Sequence, residues 1–190
     1  MLTKPKVVLI QIKDLNSGLT PQLIMETLDT LLTIAYVVMN IFSVTQLIGT
    51  YRWPATTRVL FFLLFSVAAF VNIRNALETP WVYQSYADYA IPIYRRFILG
   101  LFDGFTTPIV LSIGVGQVLI AFSMFMKGDW FRMGCLGGLV FCVAIAPLGF
   151  GSAFPSSLLF ALAFYRLYQQ QNRKPIRKIR RSGRVLLPVD

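Results

Sequence analysis

Long blocks of apolar residues with almost no charge inside them constrain this chain more than any motif does. From about Leu28 to Gly49 only Asn40, Ser43 and Gln46 interrupt a run that includes Ile34, Val37, Val38 and Ile41. A helix of that length crosses about 30 Å of hydrocarbon. Further blocks run from about Thr57 to Ile73, Phe97 to Met126, Met133 to Leu148 and Ser152 to Tyr168. The last is short for a crossing. The sequence therefore predicts an all-α fold, a polytopic transmembrane bundle of four to five spans. Composition agrees: 56% of the 190 residues are hydrophobic and 14% charged, against about 25% charged in soluble domains.

The chain divides into three parts on this reading: an extramembrane arm at 1–25, a bundle at 26–170 and a basic tail at 171–190. The arm holds Lys4, Lys6, Lys13 and Asp14 and a turn-rich Asn16-Ser17-Gly18. It lacks a signal peptide's short apolar core and cleavage site, so it is expected to stay in the mature protein. Tyr51-Arg52-Trp53-Pro54 resembles an interfacial anchor before a turn. The connection from Arg74 to Arg96 carries Trp81, Tyr83, Tyr86, Tyr89 and Tyr94, aromatics suited to the headgroup layer. In the third block Asp103, Thr106, Thr107 and Pro108 predict a bend, with Pro108 as the hinge. Lys127-Gly128-Asp129-Trp130 is a tight turn, which makes the third and fourth spans antiparallel neighbours.

The formal charge of +10 matters through its placement. Eight of the eighteen basic residues follow Tyr165, among them Arg173, Lys174, Arg177, Lys178, Arg180 and Arg181. A cluster directly after an apolar block is a topology signal and a contact for anionic lipid headgroups. Base-reading motifs and aromatic-interleaved basic patches are absent from it, so nucleic acid is not an expected partner. With five spans and a cytoplasmic tail, twelve basic residues lie inside and six outside, as the positive-inside rule requires. The N-terminus is then outside. If one of the weaker spans fails to cross, it moves inside.

Little in the sequence points to side-chain chemistry. There is no histidine, which removes the commonest general base and the usual imidazole ligand. No metal centre is expected. Cys135 and Cys142, if helical, share a face about 10 Å apart along the axis, too far to bridge, and read as small apolar fillers. Gly100 with Gly104 and Gly134 with Gly138, joined by Gly114, are spaced to let helix backbones approach closely, within the bundle or against a second copy.

One polar gathering stands out. Asn72, Arg74, Asn75, Glu78, Asp88, Tyr94, Arg95, Arg96 and Asp103 fall at the outer ends of the second and third spans, and Arg96, Gly100 and Asp103 would share a face of a continuous helix. The charges could neutralise one another at the interface. Alternatively Asn72, Arg74, Tyr94, Arg95, Asp103 and Gln117 line a mouth for an anionic or quinone-like headgroup. Gln117 sits beside Gly114 and Gly116, which leave room for a ligand or a close crossing; otherwise interhelical hydrogen bonding accounts for it, and for Asn40 and Gln46.

Phe70-Val71-Asn72, Thr79-Pro80, Tyr83, Tyr86, Ala90, Pro92, Tyr94-Arg95, Lys127-Gly128, Arg132-Met133-Gly134 and Ala146-Pro147-Leu148-Gly149 together resemble the layout of the DoxX-like family of small bacterial membrane proteins. The resemblance spans about residues 70–167 and leaves the block from Leu28 to Gly49 as an addition at the front. It implies a bundle of about four helices in the bacterial inner membrane. Some relatives are linked to quinone-dependent thiosulfate oxidation or to maturation of periplasmic redox proteins; no catalytic residue maps onto this chain. The leading expectation is a non-catalytic accessory or structural subunit whose partners are lipids and another membrane protein or a second copy. A quinone-linked oxidoreductase subunit is the alternative. A small transporter ranks last, because no inverted repeat or paired half-helices place a substrate site.

Overall fold

The computed structural model describes the backbone of residues 21–182 and the side-chain surroundings of 26, 27 and 30–171. Most of the arm and the last eight residues lie outside the described residues, as do the side chains of Arg173, Lys174, Arg177, Lys178, Arg180 and Arg181. All regular elements described are helical. They are α1 (Pro21–Arg52), α2 (Pro54–Glu78), a 3-10 segment (Pro80–Asp88), α3 (Pro92–Phe97), a π-helical segment (Ile98–Phe102), α4 (Thr106–Ser123), α5 (Asp129–Ile145), a second 3-10 segment (Ala146–Ser152) and α6 (Ser156–Ser182).

Four stretches are long and apolar enough to cross a membrane: Thr30–Arg52, Pro54–Glu78, Thr106–Ser123 and Asp129–Ser152. Between 11% and 39% of the residues in their apolar windows are buried, whereas a soluble helix hides its apolar stripe. The exposed apolar faces need a nonaqueous solvent. The chain is a multi-pass membrane protein. The second span is longer than the expected 57–73 and the fourth longer than 133–148. Helix α6 is not among the four, because Arg166 and the glutamines that follow end its apolar run after about ten residues.

The chain forms two compact units, residues up to Val38 and residues from Met39 onward. In the first, Thr30 Oγ1 donates to the Glu26 carbonyl at 2.8 Å, and Leu31, Leu32, Ile34, Val37 and Val38 are exposed.

In the second unit, helix starts are written by proline. Pro54, Pro80 and Pro92 each stand in the first turn of their element, where a missing N–H removes no helical bond. Gly128, at φ +65°, makes the turn into α5. Helix α2 packs on α4, α4 on α5, and α5 on α6. Asn40, Phe42 and Thr50 of α1 meet Ala153, Phe160 and Gln170 in the same order. Those stretches therefore run parallel.

The core is aromatic. Phe61 stacks on Phe164 with centroids 4.2 Å apart and meets Phe160 edge-on at 5.8 Å. Phe65 touches Phe164 and Phe141. Cys135 and Cys142 are free thiols buried in the same cluster, as expected of fillers. Gly138 makes room for it, since a Cβ there would lie 2.5 Å from the Phe164 ring.

The bend in the third block is displaced from its expected place. The helix breaks at Phe105, which has φ −127° and ψ 23°, while Pro108 sits inside the first turn of α4. A proline ring conflicts with the carbonyl four residues earlier, here Gly104, so the break precedes the proline. The π-helical segment upstream also removes the continuous helix that would align Arg96, Gly100 and Asp103.

Gly138→Ala should lower stability by about 1–3 kcal/mol through overpacking against Phe164. Gly104→Ala should stay within about 0.5 kcal/mol, since a Cβ there meets nothing within 4 Å. Thermal unfolding of both in detergent checks the contrast.

Candidate functional site

The unit has two chemically different ends. At one, the carboxyl end of α2, the 3-10 segments, α3 and the start of α4 come together. Ile91 N–H donates to the Pro147 carbonyl at 3.1 Å, and Thr107 Oγ1 donates to the Ala76 carbonyl at 3.2 Å. Gly149, at φ +61°, lies against the Tyr89 carbonyl, which a Cβ would approach to 2.6 Å. Tyr83, Ala87, Ala76, Ile98, Phe102 and Val110 form a second buried cluster here.

The six residues expected to line a polar mouth are divided at this end. Asn72 and Gln117 do meet: Asn72 Nδ2 donates to Gln117 Oε1 at 2.9 Å, joining α2 to α4. Tyr83 completes the arrangement by donating its hydroxyl to Asn72 Oδ1 at 2.9 Å. Arg74 instead pairs with Glu78 one turn on, at 2.8 Å and in the open. Asp103 accepts from Gln84 Nε2 at 2.7 Å. Tyr94 donates to the Ala144 carbonyl at 2.8 Å. Arg95 and Arg96 are exposed. The polar groups are thus engaged separately, and the expected neutralisation of arginines by acids is realised at Arg74 and Glu78.

Tyr83 was legible as an interfacial aromatic but not as the partner of Asn72. The contact depends on the 3-10 segment folding back over the end of α2, for which the sequence carries only Thr79-Pro80 as a signal. Burial pushes the Tyr83 phenol up to about 12, with Tyr86 beside it adding to the shift. Burial raises Tyr86 as well.

The packing glycines also divide. A Cβ at Gly114 would lie 2.6 Å from the Ile73 side chain, at Gly134 it would collide with Ser123, and at Gly138 with Phe164. These three serve close helix packing within the chain. Gly100 and Gly104 face open space, with nothing within 4 Å of an added Cβ, so the expected packing there is not made inside this chain.

The other end gathers the carboxyl end of α1, the start of α2, the turn between α4 and α5, and the middle of α6. Arg58 donates from Nε to the Met124 carbonyl and from Nη2 to the Met126 carbonyl, both at 2.6 Å. Its guanidinium lies 4.0 Å over the Phe131 ring. These carbonyls follow the last residue of α4, where no helical donor is present, so Arg58 supplies one. Gln170 Nε2 donates to the Thr50 carbonyl at 2.5 Å. Between the two ends, Gln46 and Ser157 are almost fully buried, with Gln46 Nε2 and Ser157 Oγ lacking a partner. Among the described residues, no group of three metal-ligating side chains comes together.

Tyr83→Phe should cost about 1 kcal/mol, the scale of one buried hydrogen bond, and Asn72→Leu about 2–3 kcal/mol, because it strands both Tyr83 and Gln117. A raised phenol pKa means that the folded state holds its proton more tightly. The stabilising contribution of Tyr83 is then present in full below pH 10 and is lost as pH rises from 10 towards 12. Unfolding of the wild type and Tyr83→Phe across this window should show the wild type losing more stability.

No protein family, no curated protein and no solved structure matches this chain.

Proposed function

We propose that the chain is a non-catalytic accessory or structural subunit of a membrane complex, of the kind its DoxX-like layout suggests, in the bacterial cytoplasmic membrane. The observation that carries this reading is the use made of the intramembrane polar groups. Asn72 bonds to both Gln117 and Tyr83, a clasp between helices. Asp103 and Tyr94 likewise bind Gln84 and a backbone carbonyl. Side chains engaged in this way hold helices together.

The charge distribution supports an orientation. The end with Arg52, Arg58, Lys127, Arg132 and Arg166 holds one acid, Asp129, whereas Arg74, Arg95 and Arg96 share theirs with Glu78, Asp88 and Asp103. The positive-inside rule puts the first end and the tail in the cytoplasm. The 3-10 segment before α6 lies at the second end, where Gly151 abuts Tyr86, and α6 runs from it to the first, where Gln170 meets Thr50. Counted as a fifth passage, it leaves the N-terminus outside.

Purification from native membranes in mild detergent, followed by mass spectrometry of proteins and small molecules together, tests the proposal. A recurrent membrane-protein partner in near-stoichiometric amount is the expected result. A retained quinone without a protein partner would overturn it in favour of the redox alternative.

A further inference from the structure

We infer that the arginine-rich end of the bundle is itself a binding surface for anionic phospholipid headgroups, built by Arg132 and Arg166 and independent of the basic tail. The first observation is how these two side chains are held. Arg166 lies 4.3 Å over the Tyr51 ring and donates to Gln169 Oε1 at 3.3 Å. Arg132 lies 5.5 Å over the Tyr168 ring. Stacking on an aromatic ring uses the face of a guanidinium and leaves its remaining in-plane N–H groups for an oxygen acceptor. A phosphodiester offers paired oxygens that match such groups.

The second observation is that Arg132 is held but still accessible. Its Nη1 donates to Asp129 Oδ1 at 3.0 Å and the side chain is also hydrogen-bonded to Tyr168. The side chain stays 40% exposed, so an anion from outside the chain can approach the guanidinium. Asp129 opposes an anion here, but its side chain is 89% exposed and is screened by solvent.

The third observation is the setting. Tyr51, Trp53 and Trp130 are exposed around the same end, at 58%, 60% and 73%. Rings of this kind lie at headgroup depth, which places the guanidinium edges level with lipid phosphates. Charge complementarity names the occupant. Five cations face one acid at this end, so an anionic leaflet is favoured over a zwitterionic one. Arg58 has a different task, since the carbonyls of Met124 and Met126 occupy it.

The test uses the full chain in neutral detergent, titrated with phosphatidylglycerol or phosphatidylcholine and read by native mass spectrometry. The wild type should retain phosphatidylglycerol in preference. Replacing Arg173, Lys174, Arg177, Lys178, Arg180 and Arg181 by Gln should leave much of that preference. Arg132→Gln and Arg166→Gln should each lower phosphatidylglycerol retention about fivefold, the scale of one cation near an anionic surface. Arg132→Lys and Arg166→Lys keep the charge; they should retain more of it than the Gln variants, and they serve if a Gln variant fails to fold. Arg95→Gln with Arg96→Gln, at the opposite end, should change nothing. Equal retention of the two lipids by the wild type overturns the inference. So does loss of the preference in the tail variant alone, or an equal loss in the Arg95 and Arg96 variant.

Discussion

A peptide group in hydrocarbon has no water to bond to, so its N–H and C=O must find partners within the protein. The second unit is arranged around that demand. Its breaks in helix are found where other groups can take over the freed backbone atoms. The open carbonyls at the end of α4 are taken by Arg58. The irregular stretch between α5 and α6 is tied to the segment before α3 through Ile91 and Pro147, and Asn40 reaches the Ala153 carbonyl. Once the backbone is served, side chains decide how the helices fit. Burying apolar surface supplies little net drive in lipid, where the alternative environment is equally apolar. Contact quality matters more, which is why Gly114, Gly134 and Gly138 sit opposite Ile73, Ser123 and Phe164.

The two ends of the unit express different physics. One is built from phenols, amides and short 3-10 turns, with cations and acids in balance. Its hydrogen bonds are specific and mostly neutral, and the buried Tyr83–Asn72–Gln117 arrangement ties the cap to two spans. The other end is cationic and is ordered by rings under guanidinium groups: Phe131 under Arg58, Tyr168 under Arg132, Tyr51 under Arg166. A charge asymmetry of this kind has meaning for a protein in a membrane, because the two surfaces it meets differ in potential.

Some features were legible from residue order because they are local. Block length and apolarity are properties of a segment, and four long apolar helices lie in such blocks. Pro108 misplaced the bend by a few residues because its ring acts on the carbonyl of Gly104 rather than on its own position. The polar mouth was less legible. Asn72, Arg74, Tyr94, Arg95, Asp103 and Gln117 are close in hydropathy terms, yet which of them meet depends on helix rotation and on the folding back of the 3-10 segment. The glycine pairs show the same limit. Spacing at four residues is shared by Gly100 with Gly104 and by Gly134 with Gly138, but a neighbouring helix faces only the second pair.

The sequence by itself determined that this protein is helical and lives in a membrane, because a segment's transfer free energy into lipid is a sum over its own residues. It also determined the uneven placement of charge along the chain. Only the tertiary structure decided that Asn72 clasps Gln117 under Tyr83, that Arg58 closes α4, and that Arg132 and Arg166 rest on tyrosines. Those outcomes depend on which helix faces meet. Facing is set by packing between segments distant in the chain, a quantity that no single segment carries.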